Sequence, residues 1–189
     1  ARQSQAGQEM KSRIEQAYPT GARCIVHHTR TVRRVFDCPI RKMVLYRTGT
    51  RDQKLDFEIK NPHERDFYTL AVDGCLYPTS KAPKRCDYAV FWNETILFIE
   101  FKLGQPVGRL TKVPDRIRQA LDQLIPTITR FKRHGIFTEQ TKIEAVAFVS
   151  RHLTRPVNTI SMQAAKDRLK TAFPTLQVKF KVSKSRTIS

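Results

Sequence analysis

The sequence predicts an α/β protein with a mixed central sheet flanked by helices and a small β-rich appendage on the N-terminal side. Two almost continuously apolar runs, Asp87 to Trp92 and Ile96 to Lys102, flank Asn93-Glu94 and read as an antiparallel hairpin buried on both faces. Ile117, Leu121, Leu124, Ile128 and Phe131 then form a helical stripe that needs a sheet to pack on. The length of 189 residues, with 40% apolar and 28% charged side chains, suffices for one real core and excludes a disordered chain. No stretch approaches the roughly 20 apolar residues of a membrane helix, and no apolar leader core follows the N-terminus, so a soluble cytoplasmic protein without membrane partners is expected.

The elements follow in order. Met10, Ile14 and Ala17 or Tyr18 recur at helical spacing between Gln8 and Tyr18, and Pro19 to Gly21 stops that helix. Short β-prone runs come next at Cys24 to Val26, Thr31 to Phe36, Met43 to Tyr46 and Leu55 to Ile59, separated by Pro39, Gly49 and Arg51-Asp52-Gln53. Phe67 to Val72 is a further strand ending at Asp73-Gly74, and Pro78 to Pro83 is a polar loop. After the hairpin, Pro114-Asp115 opens a helix to Lys132, which Pro126 is expected to kink or split. Ile143 to Val149 reads as a buried strand, Ile160 to Ala172 as a basic amphipathic helix, and Leu176 to Val182 as a last strand. The organisation expected is a helix and basic β-rich appendage over residues 1–62, a core over 63–182 and a frayed tail over 183–189.

Thirty-five Lys and Arg against seventeen Asp and Glu give a net charge of +18, a field that attracts polyanions and makes nucleic acid the leading partner. The balance is +7, −2, +5 and +8 over residues 1–50, 51–100, 101–150 and 151–189. A chain that only gripped phosphate gains nothing from an acidic island, so the middle of the sequence suggests groups that hold a cation.

Cys24 and Cys38 have thirteen residues between them and Cys75 and Cys86 ten, with no Cys-x-x-Cys knuckle. Buried free thiols are expected, with a bridge or a metal site as the lesser alternative. His27 and His28 point to opposite faces of a strand and read as structural or phosphate-facing.

The chemistry centres on Ile99-Glu100-Phe101-Lys102, where the strand period puts Glu100 and Lys102 on one face. If the hairpin closes about Asn93 and Glu94, Trp92 faces Thr95, Phe91 faces Ile96, and Asp87 falls opposite Glu100. Two carboxylates facing each other with Cβ atoms about 5 Å apart repel and call for a cation, and hard oxygen ligands select Mg²⁺ or Mn²⁺. Lys102 offsets part of the charge but, protonated, has no lone pair to offer a metal. A buried structural salt bridge is the rival reading of the cluster.

Asp87 in Arg85-Cys86-Asp87-Tyr88-Ala89-Val90, followed after twelve residues by Glu100-Phe101-Lys102, resembles the PD-(D/E)XK nuclease superfamily, with Cys86 where the family name has Pro. Val72-Asp73-Gly74-Cys75 and Lys84-Arg85-Cys86-Asp87 look like a small, uncharacterised branch of it, and the likeness covers Phe67 to Val149. The resemblance implies a restriction-endonuclease-like αβββαβ core. It implies that Asp87, Glu100 and the Phe101 carbonyl bind Mg²⁺ or Mn²⁺, and that Lys102 positions or activates the attacking water. A further acid from the first core helix is common in the superfamily, and Glu9, Glu15 and Glu64 are the candidates. The helix after Glu-x-Lys often adds a polar residue, for which Arg116, Gln119 and Gln123 are placed, Gln119 being the one assigned to catalysis. A solvated polar face is the alternative.

Arg30, Arg33, Arg34, Arg41 and Lys42 in the early strands, Arg116, and Lys166, Arg168 and Lys170 on the late helix are plausible phosphate contacts. The function expected is a Mg²⁺-dependent nuclease acting on DNA, an endonuclease, as a homodimer or a subunit of a larger complex. The rivals are a catalytically inactive nuclease-fold subunit that only binds nucleic acid, and a ribosomal-type RNA binder.

Overall fold

The computed structural model describes residues 5–29, 32–38, 43–47, 56–78, 83–102, 113–149 and 159–188. Arg30, Arg41, Lys42, and the turn signals at Pro39, Gly49 and Arg51-Asp52-Gln53 lie outside them, as does most of the expected loop between Pro78 and Pro83. The elements run α1 (Gln5–Ala17), α2 (Gly21–Cys24), β1 (Ile25–His28), β2 (Val32–Cys38), β3 (Met43–Arg47), β4 (Phe57–Lys60), β5 (Phe67–Ala71), β6 (Tyr88–Trp92) and β7 (Thr95–Phe101). They continue with α3 (Val113–Arg133), β8 (Lys142–Phe148), α4 (Thr159–Ala172), β9 (Val178–Val182) and β10 (Ser185–Thr187).

Six strands form a mixed sheet in the order β1-β5-β6-β7-β8-β9. The first four neighbours are antiparallel; β7, β8 and β9 run parallel to one another. Alternation along β6 and β7 divides the core in two. Ala89, Phe91, Ile96 and Phe98 join the helix-side core with Met10 and Ile14 of α1, Ile117, Leu121, Leu124 and Phe131 of α3, and Leu169 of α4. Tyr88, Val90, Trp92, Leu97, Ile99 and Phe101 face the other way, onto Val35, Phe57 and Ile59 of a second sheet ordered β10-β4-β2-β3. The hairpin is thus buried on both faces, and the small sheet is what covers its second face.

Four details correct the sequence reading. The first helix and β1 belong to the large sheet and its helix layer rather than to an appendage, because β1 pairs with β5 through Ile25↔Leu70 to His28↔Phe67. The tail expected to fray forms β10, parallel to β4, with Ile188 buried and its N–H donated to the Lys60 carbonyl at 2.8 Å. Helix α3 passes through Pro126 without splitting. An interior Pro costs about 3 kcal/mol, but buried Ile, Leu and Phe side chains contribute about 1.5–3 kcal/mol each, and Leu124 and Ile128 are both fully buried on either side of Pro126. Cys24 and Cys75 form a disulfide with Cα atoms 5.7 Å apart, while Cys86 is a buried free thiol. The pairing of β1 with β5 carries the end of α2 to the turn after β5, a proximity that spacing in sequence does not reveal.

No helix among the described residues is long and apolar enough to cross a membrane.

Candidate metal centre

The turn at Asn93-Glu94 sets the hairpin register. Asn93 has φ of 45°, the left-handed conformation a tight hairpin turn demands and Asn tolerates. From Trp92↔Thr95 the ladder descends through Phe91↔Ile96 to Tyr88↔Ile99, so Asp87 and Glu100 are the next pair. They meet as the count requires. The Asp87 N–H donates to Glu100 Oε2 at 3.2 Å, and Asp87 Oδ2 accepts the Phe101 N–H at 2.7 Å.

Glu100 is fully buried, and Lys102 Nζ lies 2.5 Å from its Oε1, an atom that has no hydrogen bond of ordinary geometry. Burial pushes the Glu100 carboxyl well up from its usual range; the Asp87 charge pushes the same way, and Lys102 opposes both. Burial, then the charges of Glu100 and Asp87, likewise raise the neighbouring Cys86 thiol.

Three elements fix Asp87 from behind. Its carbonyl accepts from the Val72 and Asp73 N–H groups at 3.1 and 3.2 Å. Arg85 pairs with Asp73 through Nε at 2.7 Å. The Cys86 N–H donates to Thr127 Oγ1 of α3 at 2.8 Å, and that hydroxyl donates to the Gln123 carbonyl at 2.9 Å. Thr127 was not singled out from sequence, and Asp73 and Arg85, quoted within motifs, were given no role in the site. Thr127 carries the one readable signal, a hydroxyl standing in the apolar register between Leu124 and Ile128.

The other expected site residues fall into place unevenly. Gln119 lies on the exposed face of α3. Arg116 is half-buried and donates to the Val149 carbonyl at 2.8 Å, tying α3 to the end of β8. The Phe101 ring packs on Phe148 in the second core, and its N–H is the one Asp87 accepts. Glu9 accepts from Gln5 at the surface, Glu15 pairs with Lys11 at 2.7 Å, and Glu64 is exposed, so none of them joins the pair. Among the described residues no cluster of three or more His, Cys, Asp or Glu could hold a metal ion. Two carboxylates still suit Mg²⁺, which keeps several waters and binds proteins through one or two carboxylates.

Of the expected phosphate contacts, Arg34 pairs with Glu58 at 3.3 Å inside the small sheet. Arg33 is opposite Ile59 on β2, and its side chain lies outside the described residues. Arg168 binds Asp122 at 2.6 Å, whereas Lys166 and Lys170 are exposed on α4. The two histidines do part to opposite faces: His27 contacts Asp66 at 2.7 Å, and His28 is buried against Thr69 at 2.8 Å.

Comparison with protein-family models, curated proteins and solved structures yields no match to this chain.

Proposed function

We propose that this chain is a divalent-metal-dependent nuclease of the PD-(D/E)XK type, an endonuclease that hydrolyses phosphodiester bonds of DNA with Mg²⁺ or Mn²⁺. The observation that carries the reading is the meeting of Asp87 and Glu100 across the hairpin with Lys102 on Glu100. Two facing carboxylates, one fully buried and only partly offset by Lys102, at the ends of the central strands are a poor structural device, since a buried ion group rarely repays its desolvation, and they are what a reaction on a phosphodiester uses. The element order supports the same reading: α1, β5, β6, β7, α3 and β8 follow the αβββαβ sequence, with α2 and β1 to β4 inserted after the first helix.

Asp87 and Glu100 would hold the cation, with the Phe101 carbonyl as the third donor that the resemblance implies. A bound divalent cation supplies charge stabilisation for the pentacoordinate phosphorus and a more acidic water. Lys102, about a fifth exposed and paired with Glu100, would hold the attacking water and a phosphate oxygen by hydrogen bonds. The Arg85, Asp73 and Thr127 contacts brace the backbone on either side of Asp87 and would keep its carboxylate in place for a bound cation.

The test incubates the purified protein with linear, circular and single-stranded DNA in Mg²⁺, Mn²⁺ or EDTA. Metal-dependent loss of circular DNA is expected. No cleavage with either metal would leave a nuclease-like protein that only binds nucleic acid.

A further inference from the structure

The turn that follows β5 is held from two sides. It closes on its own start, since the Leu76 N–H donates to the Ala71 carbonyl and the Tyr77 N–H to the Val72 carbonyl, both at 3.1 Å. Gly74 at its centre has φ of 77°, a conformation that side chains resist. Toward the carboxylate pair, the turn continues the β5–β6 ladder past Ala71↔Tyr88: the Val72 and Asp73 N–H groups donate to the Asp87 carbonyl, and Asp73 pairs with Arg85. On the other side Cys75 is bonded to Cys24 at the end of α2.

We propose that the Cys24–Cys75 bridge is a redox switch on the carboxylate pair: its reduction by a dithiol loosens this turn, releases Asp87 from its bracing and weakens the hold on a divalent cation. The effect on the cation rests on reading Asp87 and Glu100 as metal ligands; the effect on the turn does not. Access selects the point of attack. Cys75 is half-buried, whereas Cys24 is 4% exposed. Cys86 is fully buried with its thiol pushed up by burial, which makes it a poor competitor in exchange. One thiolate of the dithiol attacks Cys75 Sγ; the S–S bond breaks, and its electron pair leaves with Cys24 Sγ, which takes up a proton. The second thiolate attacks the mixed disulfide and releases Cys75, which is protonated in turn. Two electrons have then passed to the chain, and the dithiol is left as a cyclic disulfide.

The reduced chain keeps its fold and loses a local stop. Leu76 remains in the helix-side core, the Tyr77 hydroxyl donates to the Tyr18 hydroxyl at 3.0 Å, and β1 still pairs with β5 from Ile25↔Leu70 to His28↔Phe67. What goes is the covalent tie at Cys75, two residues after Asp73. Local opening begins where a structure is least held, and the bonds that return to Ala71 and Val72 pass motion at Cys75 on to the N–H groups that Asp87 uses. A bridge serving only as a staple has no reason for this address. This one closes on the turn that braces Asp87.

The test compares the whole oxidised chain with the chain reduced by dithiothreitol, which is then removed without air, both at room temperature. Mn²⁺ affinity is read from the paramagnetic signal of the free ion, and amide hydrogen exchange is read without metal. Reduction should weaken Mn²⁺ binding at least about 10-fold, the scale on which loss of partners behind a metal ligand acts. It should also speed exchange at Val72, Asp73 and Phe101, whose N–H Asp87 accepts, at least about 10-fold while Ile143 to Val146 of β8 stay nearly unchanged. Reoxidation should restore both values. The double variant Cys24→Ser, Cys75→Ser should start at the reduced values and ignore the reductant. Equal Mn²⁺ affinity in the two states would overturn the switch. A reduced chain already unfolded at room temperature would overturn it too and make the bridge a staple. The nuclease reading fails separately: a parent that binds Mn²⁺ under redox control but never cuts DNA removes the catalysis and leaves the switch.

Discussion

Asp87 and Glu100 grip each other through the backbone as well as face each other: the Asp87 N–H donates to the Glu100 carboxylate, while Asp87's own carboxylate accepts the N–H of Phe101, the next residue along. Each acid is thereby fixed in the orientation that brings both charges to one point. Lys102 closes the third side at 2.5 Å from Glu100. A divalent cation bound at this pair would replace the proton that burial favours on Glu100.

That exchange has a defined pH signature. Because the Glu100 carboxyl is raised above its unfolded value, the metal-free protein should lose stability as pH rises from the ordinary Glu range through the elevated one. Mg²⁺ or Mn²⁺ should reverse the trend, since the deprotonated pair is the form that binds it. Thermal melts at pH 5 and pH 8 with and without metal should show a metal-induced rise in Tm that is larger at the higher pH. A rise that is larger at pH 5 would rule the pair out as the ligand set.

The disulfide should be an important support. It closes a span of 51 residues between α2 and the turn whose Val72 and Asp73 N–H groups hold Asp87. Loops of this size give a stabilisation of about 2–4 kcal/mol, equivalent to a fall in Tm of about 10 °C on reduction. Cys24→Ser and Cys75→Ser should each reproduce the effect of a reductant, and neither should then respond to one. Unchanged melting of the parent in reductant would remove this support.

The C-terminal strand predicts a larger and more local effect. Arg186 sends Nε and Nη2 to the two oxygens of buried Glu144 at 2.8 and 2.7 Å and stacks over Trp92 at 5.7 Å, which ties β10 to β8 and β6. Arg186→Ala leaves Glu144 buried and short of its main partner and should cost about 3–5 kcal/mol. Adding Glu144→Leu should restore most of the loss. Urea denaturation of the single and double variants measures both; a double variant no better than the single would show that the ion pair is not the cause.

The hairpin was legible because every step of it is local. A period of two, a two-residue turn and an uninterrupted apolar run put Asp87 opposite Glu100 by counting alone, and the register from Trp92↔Thr95 to Tyr88↔Ile99 agrees. Long-range pairings were not legible. Nothing local distinguishes Cys24 and Cys75 from the other two cysteines until β1 pairs with β5. Ser185 to Ile188 looks like a polar tail because its stabilisation comes from β4, more than a hundred residues earlier, and from Glu144. Pro126 misleads for the opposite reason: its local cost is real, and the tertiary burial of Leu124 and Ile128 outweighs it.

The central claim is that Asp87, Glu100 and Lys102 perform metal-dependent cleavage rather than lend charge to a binding surface. It is tested most directly by comparing DNA cleavage in Mg²⁺ with DNA affinity in EDTA for the parent, Lys102→Ala and Glu100→Gln. Removing one lysine of the thirty-five Lys and Arg hardly alters the long-range field, so Lys102→Ala should keep affinity within about 2–3-fold of the parent while cleavage falls by at least about 100-fold. Glu100→Gln should also stop cleavage and leave affinity equal or higher, because a negative charge beside the phosphate is gone. Variants that cut as fast as the parent would contradict the account and assign the activity to another site.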